Sequence, residues 1–168
     1  FMYAPLPEDL LVVVRPPQIW VSLGVIPADT LWTLRRAVYG LRCAPRAWGL
    51  YRDAKLREVT WRAKGEQYRL VQCKTDAQVW MLKRQGDETT LGLMLVYVDD
   101  FMLLSPEGDM RKSFTAELEK TWRMSTMVEL TAANPVTFLG LEIELEAQTG
   151  DMLIHQSTPT RQLLAKHG

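Results

Sequence analysis

An α+β fold, an antiparallel sheet with helices packed on one face, is what this chain predicts, and three stretches of sequence carry that expectation. Leu91 to Leu104 reads L-G-L-M-L-V-Y-V-D-D-F-M-L-L, so two apolar runs of strand length flank an Asp99-Asp100 pair. Met110, Phe114, Leu118 and Trp122 recur every four residues, the spacing of a helix with one buried stripe. Thr137 to Glu146 alternates apolar and acidic side chains from Leu139 onward, Gly140 apart, as a strand with one wet face does.

The elements follow in order. Phe1 to Pro17 is punctuated by proline, with Leu10 to Arg15 a short strand ended by Pro16-Pro17. Leu31 to Leu34 is a second short apolar piece. Gly40 breaks the chain before Ala44-Pro45, and proline suits a helix's first turn, so a helix is expected over Pro45 to Val59. Trp48, Tyr51 and Val59, with Ala47 and Ala54, supply its buried face while its arginines point elsewhere. Gly49 weakens it by about 1 kcal/mol relative to alanine. Gln78 to Arg84 is a strand, Gln85 to Glu88 a turn, and Thr90 to Val98 the returning strand. The Asp pair forms the tip of a tight hairpin, because aspartate tolerates turns and disfavours strand interiors. After the third strand to Leu104, Ser105-Pro106 opens the four-residue-period helix. Met152 to Ile154 pairs back on the acidic strand, and a final short helix covers Arg161 to Lys166.

With 168 residues, 47% of them hydrophobic, the chain can bury the core of one domain or a large part of one. It begins at Phe1 rather than Met, which predicts a segment of a longer polypeptide. No charged stretch followed by an apolar one marks a secretory signal, and the apolar run around Asp99-Asp100 is too short to span a bilayer. Cys43 and Cys73 lack metal-ligand spacing and read as reduced structural thiols, while His155 and His167 are too few for a histidine zinc site. The net charge is zero but unevenly spread. Arg35 to Lys64 holds nine bases against two acids, and Glu107 to Asp151 nine acids against four bases. That asymmetry concentrates positive potential on one stretch, as a nucleic-acid binder or an ordinary solvated basic helix does.

Two adjacent carboxylates set against a core are costly through desolvation and mutual repulsion. A divalent cation removes the cost, and magnesium favours carboxylate oxygens. The pair therefore points to a metal-holding site for chemistry on phosphate. Asp-Asp also occurs in plain surface turns, and spacing alone does not separate the two.

Three segments in order resemble the reverse transcriptase of copia-type retrotransposons: Val38-Tyr39-Gly40-Leu41-Arg42-Cys43-Ala44-Pro45-Arg46-Ala47-Trp48, then Leu95-Val96-Tyr97-Val98-Asp99-Asp100, then Phe138-Leu139-Gly140-Leu141-Glu142-Ile143. The likeness covers nearly the whole chain. It implies a polymerase palm/fingers-like fold in a partial domain, with 1–64 a fingers and palm portion, 65–130 the palm, and 131–168 a primer-grip-like hairpin with the start of the following region. It implies RNA-directed DNA synthesis by two-metal phosphoryl transfer with Mg2+, or Mn2+ in its place, on an RNA or DNA template with its primer and dNTPs. Asp99 and Asp100 take the catalytic and metal-binding roles. Tyr39, Gly40, Arg42, Pro45, Arg46, Tyr97 and Val98 take nucleotide and template contacts. Phe138, Leu139 and Gly140 form the primer grip. Trp48 either stacks on a base or packs in the core.

The resemblance also implies a parent polyprotein with integrase, ribonuclease H and capsid, working in a cytoplasmic particle. Cys43 and Gly49 depart from the family pattern, which has glutamine and an aromatic there. The family's first catalytic aspartate falls before the segment that matches Phe1, and Asp9 and Asp29 sit in loop-like sequence. The 168 residues alone are therefore expected to be inactive. The alternative function is a non-catalytic nucleic-acid-binding remnant of a degenerate element; an unrelated interaction module must treat three ordered motifs as coincidence.

Overall fold

Antiparallel hairpins organise the molecule, in a computed structural model that describes residues 2–106 and 108–167. The first joins β3 (Thr60–Ala63) to β4 (Glu66–Gln72) through Lys64-Gly65. Both turn residues lie at positive φ, 50° and 81°, as the type I′ hairpin turn requires. β4 continues into β5 (Val79–Arg84), β6 (Thr90–Tyr97) and β7 (Asp100–Leu104), giving one antiparallel meander in the order β3-β4-β5-β6-β7. Gly92 lets β6 and β7 lie close, since a Cβ there would come within 2.7 Å of the Leu104 carbonyl.

Cross-strand partners share a face, so register divides this sheet into two surfaces. Trp61, Tyr68, Leu70, Leu82, Trp80, Met94 and Val96 line one face, and all are buried. Val71, Met81, Leu93, Leu95, Met102, Leu104, Tyr97 and Asp100 line the other, where each is half-buried or exposed. Helices α2 (Ala44–Glu58) and α3 (Asp109–Thr121) cover the first face. Phe114 of α3 lies 4.6 Å from the Trp61 ring, and the Arg57 guanidinium of α2 sits 5.8 Å over Trp80. The four-residue stripe buries Phe114, Leu118 and Trp122, and Trp122 meets both Phe101 and Trp48. The observed class is thus a mixed structure of helices and antiparallel sheet.

Smaller units flank this body. β1 (Val12–Val14) pairs antiparallel with β2 (Trp32–Leu34) across the short helix α1 (Gln18–Ser22). β8 (Val136–Phe138), β9 (Leu141–Leu145) and β10 (Met152–His155) form a three-stranded antiparallel sheet that leads into α4 (Ser157–His167). No helix among the described residues is long and apolar enough to cross a membrane.

Four sequence expectations need correction. Thr137 to Glu146 is not one strand, because Leu139 and Gly140 both adopt positive φ and turn the chain between β8 and β9. The helix after β7 starts at Asp109 rather than at Ser105-Pro106, with Gly108 at φ 116° as its cap; Glu107 lies outside the described residues. The final helix starts at Ser157, four residues earlier than expected. On α2 the buried side chains are Ala44, Ala47, Trp48, Arg52 and Leu56, so one arginine points into the core and Ala54 does not.

Candidate active site at the Asp99-Asp100 turn

Tyr97 pairs with Asp100, which leaves Val98-Asp99 as the two turn residues of the β6–β7 hairpin. Val98 sits at φ 49°, and Asp99 is not among the residues at positive φ. Positive φ at the first central position alone is the pattern of a type II′ turn, where glycine is usual. A β-branched residue there stores roughly 1–3 kcal/mol and persists only where its surroundings over-determine it.

Those surroundings come from α2. The Trp48 indole donates its Nε1–H to the Val98 carbonyl at 2.8 Å, and Arg52 Nη1 reaches the same oxygen at 3.4 Å. Trp61, Trp80 and Trp122 have buried indole nitrogens with no acceptor among the described residues. Trp48 differs from them because the turn carbonyl is within its reach. The Arg52 side chain, 5% exposed, is fixed in turn by Asp53, whose Oδ1 accepts from Nε at 2.9 Å and from Nη2 at 2.8 Å. Nη2 also reaches the Gln78 Oε1 at 3.3 Å, and Asp53 Oδ2 accepts from Gln72 Nε2 at 2.9 Å.

The carboxylates themselves face water. Asp99 and Asp100 are both exposed, so the desolvation cost expected from sequence is not incurred at the hairpin tip. Among the described residues no ion pair or hydrogen bond engages either side chain. Two adjacent, unpaired oxygen-donor groups suit a hard divalent cation. No group of three or more His, Cys, Asp or Glu that could hold a metal occurs among the described residues, so Asp9 and Asp29, both in exposed turns, do not complete the set.

The other candidates divide into two sets. Gly40 at φ 92° and Arg42 lead into α2, Pro45 and Arg46 lie in its first turn, and all four are exposed, as is Tyr39; neither arginine is ion-paired among the described residues. Trp48, one turn inside the same helix, connects this segment to the aspartate turn. Phe138 and Leu139 border one cavity of about 1060 Å³ together with Asp99, Asp100 and Trp48, whereas Gly140 and Tyr97 are not among its walls. Tyr97 instead stands exposed on the open sheet face beside Asp100.

Sequence reasoning missed Arg52, Asp53, Gln72 and Gln78. A signal existed: Arg52 is four residues after Trp48 and four before Leu56, a core-facing position where a charge must have partners.

No curated protein and no solved structure matches the chain. A family model described as reverse transcriptase (RNA-dependent DNA polymerase) matches residues 1–167, and the chain, with its aspartate turn held at the end of an antiparallel hairpin, belongs to that family.

Proposed function

We propose that the chain is a palm-centred part of a copia-type retrotransposon reverse transcriptase and that Asp99 and Asp100 are two of the carboxylates serving its phosphoryl transfer. The observation that carries this is the exposed Asp99-Asp100 pair, unpaired among the described residues, on a strained turn braced from behind by Trp48. The proposed division remains fingers and palm for 1–64, palm for 65–130 and primer-grip region for 131–168.

Joining a nucleotide to a primer requires the 3′-hydroxyl oxygen to attack the α-phosphorus in line while the bond to pyrophosphate breaks. Asp99 and Asp100 would hold Mg2+, or Mn2+, which when bound supplies charge neutralisation for that displacement. The protein's own work is positioning. The braced turn aims the two carboxylates, and the open sheet face bearing Tyr97 and Asp100 offers a floor for the primer end and the nucleotide. Arg42 and Arg46, exposed and without an ion pair among the described residues, suit phosphate contacts, which carry affinity without sequence preference. Phe138 and Leu139, across the shared cavity, suit a grip on the primer.

Nuclear magnetic resonance with Mn2+ tests the carboxylate assignment. Broadening of the 97–101 amides in the 168-residue chain, lost in Asp99→Asn and Asp100→Asn, is the expected result. Broadening spread elsewhere would overturn it. Primer extension by the same chain is expected to be absent, since two carboxylates stand where the family motif uses three. Extension dependent on Asp99 would refute that expectation and support the enzyme assignment.

A further inference from the structure

We infer that Arg52 is a positioning residue for the Asp99-Asp100 turn, acting through the Val98 carbonyl and through Gln78. Its significance for phosphoryl transfer rests on the function proposed above; its effect on the turn does not.

The geometry places Arg52 at a junction. Its guanidinium is locked on one side by both hydrogen bonds to Asp53 Oδ1. On the other side it reaches two separate pieces of the sheet. Nη1 points at the Val98 carbonyl inside the turn, and Nη2 at the Gln78 amide oxygen in the segment before β5. Gln78 is itself anchored through both backbone groups. Its N–H donates to Asp76 Oδ1 at 2.8 Å, and its carbonyl accepts from Val96 N–H at 2.9 Å. Val96 lies on β6, two residues before Val98 in the turn. One planar fork thus spans a fixed point before the turn and the strained carbonyl within it.

Stability alone gives no reason for an arginine here. Apolar replacements of buried ion pairs are often neutral or stabilising, and Trp48 and Leu56 show that this face of α2 accepts large apolar side chains. What a fork supplies and a leucine does not is several directed donors in fixed relation. At φ 49°, Val98 needs such bracing, because a peptide released to ordinary φ would re-aim Asp99 and change its spacing to Asp100. Trp48 supplies one donor to that carbonyl, and Arg52 ties the same oxygen to Gln78 and Asp53.

The test compares the intact chain with Arg52→Met and Arg52→Lys. Three quantities are read: the amide resonances of 97–100 with the Trp48 indole N–H, the affinity for Mn2+, and the thermal unfolding midpoint. In Arg52→Met the turn and indole resonances are expected to move and Mn2+ to bind about 10-fold more weakly, the low end of the loss when an outer partner of a metal site is removed. Arg52→Lys keeps the charge, but one ammonium cannot hold Asp53 and the Val98 carbonyl in the same geometry, so the turn resonances should move there too. A lower midpoint with an unchanged turn spectrum would mark Arg52 as merely structural and overturn the inference. If Arg52→Met does not fold, the lysine variant decides: displaced turn resonances support the role and unchanged ones reject it. Failure of Asp99→Asn to alter Mn2+ binding would count against the polymerase assignment alone, since the turn spectrum still reports on Arg52.

Discussion

Two hairpin turns in this molecule solve the same problem in opposite ways. At Val98-Asp99 and at Leu139-Gly140 the chain reverses in two residues, and in both the first is a bulky apolar residue at positive φ, 49° and 54°. At the second turn glycine follows at φ 78°, so half of the type I′ geometry is carried without strain. Its external support is slight: the Gly140 carbonyl accepts from Gln156 Nε2 at 3.4 Å on an exposed surface. At the first turn aspartate follows, and support comes from Trp48 and from a buried arginine held by a half-buried aspartate. Strain is backed by buried donors where a carboxylate is aimed, and left to local turn chemistry where none is.

Removing the brace should have the largest effect. Trp48→Ala deletes a buried indole that also packs on Trp122 and Tyr51, and a loss of about 3–5 kcal/mol in chemical denaturation is expected. Trp48→Phe keeps most of the ring packing but removes the donor. It should cost about 1 kcal/mol, the low end for an orphaned acceptor because Arg52 still reaches the oxygen, and should shift the 97–100 amides. Trp48→Phe indistinguishable from the parent in both stability and spectrum would remove the distinction between the two turns.

Relieving strain separates them next. Val98→Gly removes the positive-φ penalty but frees the unfolded chain, for a net gain of up to about 1 kcal/mol. Leu139→Asn creates Asn-Gly, the favoured type I′ pair, and should gain about 0.5 kcal/mol. In the first variant the gain should come with weaker Mn2+ broadening at Asp99, because a turn that is easier to form is also easier to deform. In the second the Asp99 signals should stay put. Gln156→Ala should stay within about 0.5 kcal/mol of the parent, as exposed sites do. A larger loss would mean that the second turn is braced after all.

Much of this was legible in the chain. The runs either side of Asp99-Asp100 gave β6 and β7 because apolar strands ending in turn residues leave few alternatives, and Pro45 marked the start of α2. β3 and β4 went unread, although Lys64-Gly65 between alternating flanks is a hairpin signal, because Arg62, Gln67 and Arg69 on the outer face dilute the apolar pattern. The Leu139-Gly140 reversal hid inside a strand-like alternation, since a two-residue turn preserves the period of two on both sides. Spacing marks Arg52 as core-facing but does not name its partners: Val98 lies 46 residues away in the chain, and only packing brings the two together.

The smallest effect concerns the surface beside the second turn, and it is local. Glu142 on β9 accepts from the Thr158 backbone N–H at 2.9 Å, near the start of α4, with His155 Nδ1 at 3.1 Å. Hydrogen bonding from Thr158, and secondarily the charge of His155, holds its carboxyl below the usual glutamate range. A carboxylate at the first turn of a helix is favoured by the orphan N–H groups there. Because the folded-state pKa is depressed, the stabilisation is present at neutral pH and is lost as pH falls through the folded value. Thr158 amide protection should therefore drop at acid pH, while the Trp48 indole, bonded to a carbonyl, should hold its protection as long as the fold persists. Glu142→Gln keeps an acceptor but abolishes the titration, so its Thr158 protection should be lower at neutral pH and flat with acid. Parallel loss of protection at Thr158 and the indole in the parent would show that the two turns open together, and would undo the claim that one is braced by the core and the other by its own surface.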